Sequence, residues 1–115
     1  MAKRETTLRL SDMIEAIERV QAVVKGVNLE EFENDWEKRW LVERGLEIIS
    51  EASRHLDEGT KDRYPKIPWR KVADIGNVLR HAYDHVAADV LWKLTQKDLG
   101  ALLTACRDEI ASRSP

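Results

Sequence analysis

Cysteine occurs once in the chain, at Cys106, so no internal disulfide can form and a reducing cytoplasm is the expected setting. Five glycines and three prolines are few for 115 residues, which argues against a loop-rich fold and for a helix-rich one. Apolar runs are short, and none approaches the roughly 18–20 residues of a membrane span. The opening MAKRETTLRLSDM lacks the apolar core of a signal peptide, so no membrane partner is expected. An excess of one charge is missing too. A formal net charge of −2 excludes nucleic-acid binding through whole-molecule charge, and any such binding must use a local patch.

What the chain does have is 43% hydrophobic and 35% charged residues, patterned at helical spacing and without repeats, linkers or strand-period alternation. One domain over residues 1–115 is expected, an all-α, up-down bundle of four main helices. The first helix is LSDMIEAIERVQAVV, with Ser11 as N-cap, Leu10 as staple, and Met13, Ile14, Ile17, Val20 and Val24 as its apolar stripe. Gly26 ends it. Asn28 caps a new start with Glu31 in capping-box position, and the long segment from Leu29 to about Leu56 is expected to break near Asn34–Asp35. Gly59, Pro65 and Pro68 mark a loop, and Pro68 suits the first turn of a third helix from Trp69 to about His85 or Val86. A last helical region covers Asp89 to Ile110, with an interruption expected at Gly100.

The third helix carries GNVLRHAYDH. At about 100° per residue with Asn77 at zero, Val72, Ile75, Val78, Leu79, Ala82 and Val86 fall between about 100° and 220°, a core stripe. Asp74, Asn77, His81, Asp84 and His85 gather on the opposite face, with Arg80 flanking at about −60° and Tyr83 at the boundary. Histidine beside a fixed cation suits phosphodiester chemistry: an acid or base near neutral pH, and a guanidinium for charge building on phosphate. The same face also fits a solvated surface whose His–Asp pairs only stabilise the helix. A metal site is a further reading, since His81 and His85 stand at i, i+4. HAYDH, however, lacks the glutamate of the zinc protease motif, and no third ligand lies in sequence reach, so no metal or cofactor is expected.

IPWRKVADIGNVLRHAYDHVAADVLW resembles the HepT-like family of the HEPN superfamily, small all-α toxins of toxin–antitoxin pairs. The likeness rests on Pro68-Trp69-Arg70, Gly76-Asn77, His81-x-Tyr83 and Leu91-Trp92. LEIISEASRHL adds to it, with Ser50 where the family usually has glycine, and DMIEAIERV fits the family's first helix. The resemblance implies a homodimer whose two motif helices meet at a shared cleft, and a metal-independent endoribonuclease. It also implies a nucleotidyltransferase antitoxin as partner, which in some pairs adds AMP to the tyrosine of His-x-Tyr. Carried over, His81 matches the catalytic histidine and Tyr83 the modified tyrosine. Stricter members place an arginine five residues before the histidine; here that position is Gly76, and Arg80 directly precedes His81. The expected function is therefore RNA cleavage by a type II toxin, with Arg80, His81 and Asn77 as the catalytic group and Asp84 and His85 tuning it or contacting RNA. The alternative is a non-catalytic nucleotide- or antitoxin-binding subunit with a degenerate site.

Elsewhere, Leu41, Val42, Leu46, Ile48, Ile49, Ala52 and Leu56 form the core stripe of the second long helix. Trp36 and Trp40 lie on its other side with Glu47, Glu51 and Arg54, and are expected to be covered by a helix break that turns them inward or by a partner. Trp69 and Trp92 read as core or junction residues, Cys106 as a buried thiol, and His55 as favouring a helix C-terminus.

Overall fold

The computed structural model describes residues 2–81 and 88–113, with side chains over 5–80 and 88–113. Seven helices are present among them: α1 (Ala2–Val24), α2 (Leu29–Glu33), α3 (Trp36–Arg54), α4 (Glu58–Asp62), α5 (Trp69–His81), α6 (Ala88–Lys97) and α7 (Leu99–Arg113). No strand occurs among the described residues. The architecture is an all-α bundle in which α3 lies between α1 and α5, α7 packs on α1, and α2 packs on α6.

The first helix starts at Ala2, so Ser11 is an exposed mid-helix residue rather than an N-cap, and Leu10 is core rather than a staple. The stripe runs further back than the sequence reading placed it. Thr6 and Leu10, both buried, continue the i, i+3, i+4 series of Met13, Ile17, Val20 and Val24. Gly26, at φ 75, then turns the chain out of the helix. The break near Asn34–Asp35 is present. Asn28 and Glu31 form a capping box at 2.8 and 3.2 Å, and Asp35 restarts the helix by accepting from Lys38 N at 3.1 Å.

Part of the expected loop is helical. Asp57 accepts a 2.7 Å bond from Thr60 N, and this N-cap outweighs the propensity cost of Gly59 within α4. The last helical region breaks at Asp98 rather than at Gly100, which lies inside α7. Two core assignments are corrected. Leu41 and Val78 are exposed, because each sits at the edge of its helix's buried sector while Val42, Leu46, Ile49, Val72, Ile75 and Leu79 fill the centre. Ala82 and Val86 lie outside the described residues. Trp69 spans a junction, its Nε1 donating to the carbonyls of Lys61 and Tyr64, and Trp92 stacks at a tilt on buried Phe32 with centroids 5.4 Å apart. Cys106 is buried in the core, which pushes its thiol up to about 12.

The α1–α3 contact depends on Gly45, where an added Cβ would overlap Val20 Cγ2 in the core. Valine at position 20 is stiff at χ1, so relief requires the helices to separate. Gly45→Ala is therefore expected to cost about 1–3 kcal/mol, read as a lower denaturant midpoint at unchanged slope. An unaltered midpoint would show that α1 and α3 are not held this closely.

Candidate active site on the α3–α5 groove

Helices α3 and α5 meet through a compact polar contact. Ser50 Oγ donates to the Ala73 carbonyl at 2.8 Å and accepts from Gly76 N at 2.9 Å. Arg54 adds two bonds to the same carbonyl, from Nε at 3.0 Å and Nη2 at 2.8 Å. Ala73 thus pairs with Arg54 and Ser50, and Gly76 with Ser50, so the two helices run in opposite senses. The C-terminal end of α5 approaches the N-terminal half of α3.

Gly76 is buried in this contact. A Cβ there would lie 3.1 Å from Ser50 Oγ and 3.3 Å from Arg80 Nη1. Both values are tighter than ordinary van der Waals contact. The hydroxymethyl of Ser50 and the guanidinium of Arg80 therefore use the space that a side chain at position 76 would enter. Arg80 folds back one turn along α5, as i, i+4 neighbours on a helix can.

The space beside Arg80 is a groove of about 220 Å³ between α1, α3 and α5. Arg9, Arg44, Arg54 and Arg80 line it, together with Asp12, Glu47 and Glu51. Its existing pairs are loose or local. Arg44 Nη1 is 3.8 Å from Glu47, Arg9 Nη2 is 3.7 Å from Glu5, and Glu51 accepts from or faces His55 Nε2 at 2.9 Å. The His55 hydrogen bond holds the Glu51 carboxyl below its ordinary value. The Arg80 side chain makes no hydrogen bond or ion pair among the described residues.

Of the residues singled out from the sequence, Arg80 is placed in this groove. Asn77 is exposed, its Nδ2 3.5 Å from Asp74 Oδ1, a contact at the outer limit of a hydrogen bond. No hydrogen bond joins Asn77 to Arg80. His81 is the last described residue of α5, and its side chain lies outside the described ones, as do Tyr83, Asp84 and His85. Arg44 and Arg9 carry no motif or periodic signal that points to the groove. Ser50 and Gly76 were each noticed as departures from the family pattern, and reading them as a facing pair would have located the contact. Among the described residues no cluster of three or more His, Cys, Asp or Glu side chains is placed to hold a metal ion, and no helix is long and apolar enough to cross a membrane.

A family model described as ribonuclease HepT-like matches residues 13–108. The chain belongs to the HepT-like family. Its HEPN-type helices supply both the Ser50–Gly76 contact and the helix that ends at His81. A HepT-like relative from Thermococcus cleftensis, named "Probable ribonuclease HepT", is 38% identical over 87% of this chain and 91% of its own. One from Methanocaldococcus jannaschii, named "Putative RNase MJ1380", is 33% identical over 86% of this chain and 91% of its own. No solved structure matches the chain.

Proposed function

We propose that this HepT-like chain, as one domain over residues 1–115, is an endoribonuclease that cuts RNA without a metal ion. It would act as a homodimer and as the toxin of a type II pair whose antitoxin is a small nucleotidyltransferase. The observation that carries the reading is the position of Arg80. Its guanidinium lies against the place where a side chain at position 76 would start, so the cation absent at Gly76 is supplied from one turn later.

RNA brings its own nucleophile, the 2′-hydroxyl. His81 takes the 2′-hydroxyl proton as the 2′-oxygen attacks phosphorus, and the P–O5′ bond breaks as the partner subunit's histidine protonates the leaving oxygen. The products are a 2′,3′-cyclic phosphate and a 5′-hydroxyl end. Arg80 stabilises the charge that builds on the phosphate oxygens, and Asn77 orients the phosphate or the imidazole. Asp84 and His85 tune His81 or touch RNA. Tyr83, two residues after His81, is the position where the antitoxin would add AMP and silence the cleft. Two-fold symmetry doubles a modest patch, which lets a chain of net charge −2 hold a polyanion.

The test is cleavage of total RNA by the purified protein in excess EDTA. Full activity is expected there, and its loss would overturn the metal-free mechanism. Arg80→Ala should lower kcat by about 10²–10³-fold, the scale of losing one group that stabilises transition-state charge. Arg80→Lys should recover only part, since an ammonium lacks the planar fork. Undiminished cleavage by Arg80→Ala would remove Arg80 from the site. Absence of any cleavage, with antitoxin binding intact, would favour the non-catalytic subunit.

A further inference from the structure

We propose that the exposed Trp36–Trp40 pair is a stacking platform for single-stranded RNA, continuous along α3 with the arginine groove beside Arg80. The inference rests on the ribonuclease reading and names the form of RNA that reading requires. The helix break at Asn34–Asp35 does not turn these rings inward. Trp36 is 54% and Trp40 66% exposed, and they meet edge to face with centroids 5.0 Å apart and planes at 72°. Exposing two indoles in water is costly, and the T-shaped contact leaves ring faces open.

Their position decides what they are open to. At about 100° per residue, Trp36, Trp40, Arg44, Glu47, Glu51 and Arg54 fall within a sector of roughly 80° on α3. The same helix face therefore carries the rings and the groove. Because α3 and α5 are antiparallel and Gly76 meets Ser50, the α5 end at His81 comes level with the neighbourhood of Gly45. Trp40 stands five residues beyond, about 7 Å along the helix at 1.5 Å per residue. A nucleotide next to the reacting phosphate would reach it.

Charge complementarity points to the same occupant. Among the described residues Arg44 pairs only with Glu47, at 3.8 Å and exposed; Arg9 pairs with Glu5 at 3.7 Å and also helps to hold the Glu51 carboxyl low; and the Arg80 side chain has no partner. The exposed Arg44–Glu47 pair and the half-buried Arg9–Glu5 pair are both too long to be strong, so phosphates can recruit these guanidiniums. Asp12, Glu47 and Glu51 face the same groove against four arginines, and Glu51 is occupied by His55, so the balance there stays positive. A second copy of the chain fits less well. Two indoles bury at most about 500 Å², and the rest of the sector is charged, whereas a stable dimer needs about 800 Å² from each partner. Indole faces accept any unpaired base, while a duplex hides its base faces, so the strand bound here is single.

The experiment is fluorescence anisotropy of the full chain with a labelled, fully 2′-O-methylated single-stranded RNA, whose blocked 2′-oxygen cannot attack. Trp36→Ala combined with Trp40→Ala should weaken binding at least about tenfold, the scale of losing base stacking. Trp36→Phe with Trp40→Phe should restore most of it, and the mass by light scattering should stay that of the parent. Equal binding by the double alanine variant, failure of phenylalanine to rescue, or a change of oligomeric mass overturns the platform. Cleavage of unmodified RNA by the parent chain separates the two readings. A parent that cuts RNA while its binding ignores both tryptophans loses the platform and keeps the ribonuclease; a parent that neither cuts nor binds loses both.

Discussion

His81→Ala in the purified chain is expected to lower the maximal rate of RNA cleavage by about 10²–10⁴-fold, the span that a positioned general acid or base contributes. If the chain is the toxin proposed, the same variant should no longer slow growth in cells. The reasoning begins with the substrate. Because the 2′-hydroxyl is built into RNA, the protein need supply only proton transfer and charge stabilisation, and histidine is the side chain that can do the first near neutral pH. Arg80, held against Gly76 and without an ion-pair partner among the described residues, should stay in place for a phosphate when the imidazole is gone. The loss should therefore appear in kcat at saturating RNA with little change in KM. A symmetric dimer with one histidine as base and the other as acid also predicts a bell-shaped dependence of rate on pH in the parent. That curve flattens in the variant. Undiminished cleavage by His81→Ala would remove the chain from this chemistry altogether.

Much of the architecture was legible because local signals and burial agree. The Asn28–Glu31 box, the Asn34–Asp35 break and the Pro68–Trp69 start each place a polar or proline cap directly before an apolar period, and each is present in the structure. The misreadings occur where a short-range signal competes with a longer one. Ser11 looks like a cap only if Thr6 and Leu10 are not counted into the stripe, and both are buried. Gly59 looks like a loop only if the Asp57 cap is ignored.

At the site, angle alone put Arg80 at the edge of the polar face but could not show which way its long side chain turns. That depends on Gly76 having no Cβ and on Ser50 approaching from another helix, a tertiary fact with no periodic signature. The tryptophan pair was legible as a problem, two large rings on the polar side of α3, and the structure removes one of its two expected answers. They are not turned inward.

Glu109→Gln is the substitution expected to cost most in stability. The parent carboxylate is 2% exposed and sits where α4 and the turn after it meet α7. Arg63 donates to both its oxygens, Nε at 3.0 Å and Nη2 to the other, while Arg113 Nε donates at 2.8 Å and Tyr64 OH at 3.2 Å. Replacing it by a neutral amide keeps the shape but leaves two guanidiniums without their counter-charge and one acceptor position as a donor. A wholly buried pair broken this way costs about 3–5 kcal/mol. Arg63 is 53% exposed and can rehydrate, so about 2–3 kcal/mol is expected here, read from denaturant midpoints at pH 7. The pH dependence separates charge from shape. Hydrogen bonding from Arg63, more than offsetting burial, holds the Glu109 carboxyl below its ordinary value of 4.5. A group with a depressed native pKa contributes its full stability above the unfolded value and loses it as pH falls below that value. The gap between parent and Glu109→Gln should accordingly be complete at neutral pH and shrink from about pH 4.5 downward as the parent carboxyl takes up its own proton. Glu51, held low by its His55 hydrogen bond outside this cluster, gives the parent and the variant the same acid slope, so its effect cancels in the difference. A gap that stays constant into acid would mean that Glu109 holds α4 against α7 by packing alone.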